Sequence, residues 1–149
     1  MKSRVLFVCV HNGGRSQMAE AFLRREAGDL FEVHSAGLEP GVLNADVVRV
    51  MGEIGYDISN ARVKSVSSPE IASKDFRYVV TVCAETQAEM CPIVPTEGRR
   101  EHWFFADPSA ITGTDERRLH AIRSIRDRIR ARVAQWAAER RAETRSPVA

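Results

Sequence analysis

A chain of 149 residues, 44% of them apolar, can bury one core without staples, and its formal charge of +2 is too small to mark a nucleic-acid binder. The apolar run from Val5 to just before His11 is too short for a signal peptide or a membrane span, so a cytoplasmic protein with no membrane association is expected. Three cysteines, Cys9, Cys83 and Cys91, are an odd number in a chain without signs of export, so chemistry or burial rather than a disulfide framework must explain them.

Arg4 to Val10 reads as a buried strand, because Val5, Leu6, Phe7 and Val8 run without alternation into a glycine-rich turn. Ser16 to Ala27 reads as a helix with Met18, Ala19, Phe22 and Leu23 at helical spacing and Gly28 as its stop. Phe31 to Ala36 is a second strand. Asn44 then caps a helix striped by Val47, Val48, Met51 and Ile54 and closed by Gly55. Residues 56–75 are polar and mixed, with a short helix from Pro69 to Ser73. Tyr78 to Cys83 is a buried strand, Glu101 to Phe105 a fourth, and Asp115 to Glu143 a long helix striped by Leu119, Ile122, Ile125, Ile129, Val133 and Trp136. Its arginines are placed on the opposite, solvated face.

Alternating strands and helices imply an α/β fold: three layers, with a four-stranded parallel sheet flanked by helices on both faces and sites at the carboxyl ends of its strands. The whole of 1–149 is expected to form one domain.

Cys9 ends the first strand, and Arg15 opens the helix after five intervening residues. Backbone N–H groups of Val10, His11, Asn12, Gly13 and Gly14 are expected to turn inward around an oxyanion, with the glycines taking φ values that other residues resist. The helix N-terminus adds positive field, and Arg15 supplies a planar fork for two oxygens of a phosphate-shaped ion. The same field favours the Cys9 thiolate, an activated nucleophile. Ser16 is placed to donate to the sulfur, and Asn12 to hold the loop through its side-chain amide. His11 and His102 lack the paired spacing of metal ligands, and no metal site is assigned.

The stretch CVHNGGRS resembles the Cys-x5-Arg-Ser loop of the low-molecular-weight phosphotyrosine phosphatase fold, and FVCVHNGGRSQMAEAF resembles the thioredoxin-coupled arsenate reductases built on it. The likeness continues through SAGLEPG, IGYDISN, VVTVC followed by CPIVP, and EHWFFADP. It implies that Cys9 attacks arsenate, that Cys83 attacks the Cys9 sulfur as arsenite leaves, and that Cys91 captures Cys83. A Cys83 to Cys91 disulfide would remain, open to reduction by thioredoxin. Asp107, followed by Pro108, matches the family's general acid. The resemblance implies thioredoxin as partner; a cytoplasmic monomer with no bound cofactor is expected, with phosphate or sulfate as competing oxyanions. Some relatives hold potassium on oxygen ligands. Asn12, Glu20 and Ser35 match those positions, but the remaining acidic one is Lys64, whose ammonium would sit near Glu20 instead of the ion.

Other readings stay open. A phosphotyrosine phosphatase would use Cys9, Arg15 and Asp107 alone, although Ser109 and Ala110 stand where such enzymes usually carry tyrosines. A non-catalytic oxyanion-binding or redox-sensing module would use the loop and cysteines without turnover. The arginine-rich last helix could bind nucleic acid, but a solvated face of a packed helix is the preferred reading, and no nucleic-acid partner is expected.

Overall fold

The computed structural model describes residues 2–84 and 96–145. Four parallel strands, β1 (Ser3–Cys9), β2 (Phe31–Gly37), β3 (Tyr78–Cys83) and β4 (Arg99–Phe104), form one sheet in the order β2-β1-β3-β4. The helices are α1 (Arg15–Ala27), α2 (Ala45–Glu53), α3 (Pro69–Ala72) and α4 (Asp115–Arg145).

Strand position explains strand composition. β1 and β3 are central and covered on both faces, so they run apolar without alternation, whereas edge strand β4 buries Trp103 and exposes most of its other residues. That exposure hides the true start of β4: it begins at Arg99 and ends at Phe104, not at Glu101 and Phe105, because two exposed arginines carry no apolar signal.

Alternation along β1 divides the core. Val5 and Phe7 join Val80 and Val82 in a large cluster with α1, α2 and α4, while Leu6 and Val8 join Val79 in a smaller one against Ile71 of α3 and Phe76. The expected stripe of α4 is buried from Leu119 to Trp136. Trp136 stacks edge-on against Tyr78 with ring centroids 5.1 Å apart and donates through Nε1 to Glu101 Oε2 at 2.6 Å.

The arginines of α4 are not simply a solvated face. Arg126 and Arg140 are buried: Arg126 donates to Val50 O at 2.8 Å and meets Glu53 at 3.1 Å, while Arg140 lies 5.4 Å from the Trp136 ring centroid. Arg123 adds a two-pronged pair to Glu53, at 2.8 and 2.6 Å. Charge pattern alone cannot reveal this, because long guanidinium side chains bury their stems and reach partners on other helices. Among the described residues, no helix is long and apolar enough to cross a membrane.

Candidate active site

The carboxyl ends of β1 and β3, the start of α1 and the turn after β4 meet at one edge of the sheet. Between Cys9 and Arg15 every carbonyl is engaged away from the loop's centre. Leu38 N donates to Cys9 O (3.2 Å), Glu39 N to Val10 O (2.8 Å), Gly41 N to His11 O (3.0 Å) and Asn44 N to Gly13 O (2.8 Å). Gln17 Nε2 reaches Asn12 O at 3.2 Å, and Met18 N donates to Gly14 O at 2.9 Å. In a trans peptide the N–H of the next residue points opposite to the carbonyl. Fixing these carbonyls outward therefore turns the following N–H groups inward, and Asn12 N already donates to Cys9 Sγ at 3.2 Å. The result is a nest of amide donors at a helix N-terminus, an arrangement that binds anions.

The glycines serve this loop differently from the expectation. The positive φ falls on Asn12, at 55°, and not on Gly13 or Gly14. Gly13 is needed for space: a Cβ there would lie 2.5 Å from Val42 O. Gly37 has the same role from the other side, where a Cβ would come within 2.8 Å of Asn12 N. The segment from Gly37 to Asn44 is thus the outer wall that shapes the nest, a function sequence reasoning did not assign to it.

Cys9 is buried, and its Sγ lies 2.9 Å from Ser16 Oγ. Asn12 works through more side-chain contacts than expected. Its Nδ2 donates to Ser16 Oγ (2.7 Å) and Ser35 Oγ (3.0 Å), while its Oδ1 accepts from Gln17 Nε2 (3.0 Å) and from the Lys64 backbone N–H (3.0 Å). Gln17, also buried, was missed from sequence because it reads as one more polar residue in a helix; its amide also donates to Arg62 O at 2.8 Å.

Arg15 is 3% exposed, donates through Nη1 to Phe105 O at 3.1 Å, and faces Asp107 Oδ2 at 3.6 Å. The Asp107 Oδ1 atom accepts from Ser109 N and Oγ at 2.9 and 2.8 Å, capping the short 3-10 turn Pro108–Ala110. One oxygen therefore holds the turn and the other faces the cradle. His11 is exposed, with Nδ1 2.9 Å from Glu39 O, and His102 is exposed on β4 beside the Phe104 ring. Lys64 Nζ stands 3.8 Å from Glu20 Oε1, near the acid as expected. Burial pushes the Lys64 ammonium below the ordinary lysine range, and the Glu20 charge opposes that shift.

Cys83 ends β3 on the same sheet edge and is fully buried. The pairing of Val8 with Thr81 puts it one step further along the sheet than Cys9. By strand alternation Cys9 shares a face with Phe7, and Cys83 shares the opposite face with Val79. Cys83 O accepts from Phe105 N at 3.0 Å, so residue 105 links the end of β3 to Arg15. Cys91 lies outside the described residues.

A family model described as low molecular weight phosphotyrosine protein phosphatase matches residues 4–146. The chain belongs to that family. Within it, an arsenate reductase of Shouchella clausii is 40% identical over 91% of this chain and 96% of its own length. The crystal structure of arsenate reductase from Archaeoglobus fulgidus superposes with a TM-score of 0.72 at 31% identity, covering 90% of this chain and 98% of that one. A thioredoxin-dependent arsenate reductase of Corynebacterium glutamicum gives a TM-score of 0.70 at 30% identity over 95% of this chain and 63% of its own. The four-stranded parallel sheet is the sheet of this phosphatase-like fold.

Proposed function

We propose that the chain, acting as a single domain, reduces arsenate to arsenite through Cys9. The observation that carries this reading is the carbonyl-out, amide-in loop around a buried thiol, an arrangement suited to a tetrahedral oxyanion. The family's arsenate reductases support the choice of substrate.

Amides of residues 10–14 and the Arg15 guanidinium hold the oxyanion, and Ser16 supports the thiolate form of Cys9. The Cys9 sulfur attacks As(V), a sulfur–arsenic bond forms, and an arsenate oxygen leaves as water once protonated. Asp107 supplies one of the protons, a role supported by its Oδ2 facing Arg15 at 3.6 Å. Cys83 thiolate then attacks the Cys9 sulfur. A sulfur–sulfur bond forms, the sulfur–arsenic bond breaks, and its electron pair departs with arsenic as arsenite. Cys91 thiolate next displaces Cys9 from Cys83, leaving a Cys83 to Cys91 disulfide for a dithiol donor to reduce. The thioredoxin dependence of the Corynebacterium glutamicum relative supports thioredoxin as that donor.

Because Cys83 is buried and on the opposite face by alternation, its attack requires the chain beyond Val82 to turn the thiol over the sheet edge. The test is consumption of NADPH by the protein with thioredoxin and thioredoxin reductase. Arsenate-dependent oxidation is expected. Its absence in a sample that hydrolyses an aryl phosphate would move the chain to the phosphatase reading, which the Arg15 to Asp107 geometry equally serves.

A further inference from the structure

The outer wall shapes the nest, yet the wall itself has little to stand on. Leu38 to Val42 are exposed, and no residue from Leu38 to Leu43 belongs to either core cluster. Two main-chain bonds from this stretch decide where nest amides point: Glu39 N donates to Val10 O at 2.8 Å, and Gly41 N to His11 O at 3.0 Å. Turning Val10 O outward presents the His11 N–H to the centre, and turning His11 O outward presents the Asn12 N–H that meets Cys9 Sγ. Between the two wall donors stands Pro40, which has no N–H. The peptide joining Glu39 to Pro40 can therefore be anchored only through its carbonyl.

His11 supplies that anchor. Its Nδ1 lies 2.9 Å from Glu39 O. A carbonyl only accepts, so Nδ1 carries the hydrogen whether the ring is neutral or charged, and a second ring proton can be added only at Nε2. The ring also lies close to Gly41, where a Cβ would come within 3.2 Å of His11 Cβ and 3.5 Å of Cγ. Among the described residues, no other side chain hydrogen-bonds to residues 38–43. His11 thus works in two directions: its backbone belongs to the nest, and its side chain holds the stretch of wall that orients that backbone.

We infer that His11 is a positioning residue for the oxyanion: its ring, donating through Nδ1 to Glu39 O, clips residues 39–41 of the wall over the nest and keeps the His11 and Asn12 amides turned towards the bound ion. The inference deepens the proposed function and rests on its reading of the loop as the oxyanion site. The clip uses the Nδ1 donor and not the charge of the ring.

The test measures how well inorganic phosphate protects Cys9 from iodoacetamide in the full chain carrying Cys83→Ser and Cys91→Ser. His11→Ala should raise the phosphate concentration giving half protection by roughly three- to tenfold. His11→Asn should restore most of the protection, because its amide nitrogen is bonded to Cγ as Nδ1 is. His11→Gln should not, since its amide sits one bond further out. If His11→Ala does not fold, the Asn and Gln variants carry the comparison between them. Half protection unchanged in His11→Ala, or lost as fully in His11→Asn as in His11→Gln, would overturn the inference alone. Rescue by Gln and not by Asn would do the same, since it moves the role to Nε2. A parent whose Cys9 is protected by phosphate but which turns over no arsenate would remove the substrate reading and leave the clip to be decided by the protection series. A parent Cys9 that phosphate does not protect would overturn both this inference and the reading of the loop as an oxyanion site.

Discussion

Cys9 and Cys83 end neighbouring parallel strands at the same sheet edge, yet their surroundings differ in kind. Cys9 sits among groups whose hydrogen bonds are already directed: outward carbonyls, an inward amide on the sulfur and a serine beside it. Cys83 is packed at the strand end on the opposite pleat, its carbonyl held by Phe105 N. A site that must bind an anion and stabilise a thiolate gains from rigidity, because preorganised donors need no reorientation as charge develops. A thiol that must travel gains from a position at the end of an element, where few pairings have to break.

The most direct way to break this contrast is Cys83→Ser. Arsenate turnover should fall to background while aryl phosphate hydrolysis stays within about twofold, since the substitution leaves the anion loop intact. Equal loss of both activities would mean that Cys83 supports the loop rather than a relay. Gly13→Ala attacks the rigid side. A Cβ 2.5 Å from Val42 O must push the outer wall away, and arsenate turnover should drop by roughly a hundredfold, with a stability cost of about 1–3 kcal/mol read from thermal unfolding.

Ser16→Ala is milder. Removing the hydroxyl beside the sulfur should lower turnover and Cys9 alkylation by roughly tenfold, while reactivity at Cys83 in unfolded protein stays the same. The smallest effect belongs to the scaffold shared by both thiols. Hydrogen bonds from Arg123, and then the charges of Arg123 and Arg126, hold the Glu53 carboxyl at about 2, below its ordinary 4.5. Because the folded value lies below the unfolded one, this contribution is complete above about 4.5 and is lost as the pH falls towards about 2. Glu53→Gln should therefore flatten the acid limb of stability between those values, measured by urea unfolding, with a small deficit against the parent that is greatest above about 4.5 and vanishes towards about 2.

The fold was legible because each strand and helix announced itself by period. YVVTVC could be nothing but a covered strand, and the α4 stripe from Leu119 to Trp136 is buried as its spacing requires. Where an element carried no apolar signal, as at Arg99 and Arg100, its boundary was misplaced. The loop from Cys9 to Arg15 was equally legible, since Cys9, the turn and Arg15 are contiguous and local chemistry links them. Gln17 and the wall from Gly37 to Asn44 were not, because a polar helix residue and a proline-containing loop look the same whether they face water or another loop's carbonyls.

By itself, then, the sequence determined the alternation of strands and helices, the placement of Cys9, Arg15 and Cys83 at strand or helix ends, and the buried stripe of α4. Those features follow from short-range geometry, in which period and neighbours settle the outcome. Tertiary structure alone decided which way the loop's peptides face, why Gly13 must lack a side chain, that Arg126 and Arg140 lie buried, and that the Lys64 ammonium faces Glu20. Each of these depends on an atom from a distant part of the chain arriving within hydrogen-bonding or van der Waals distance, and no local pattern encodes that arrival.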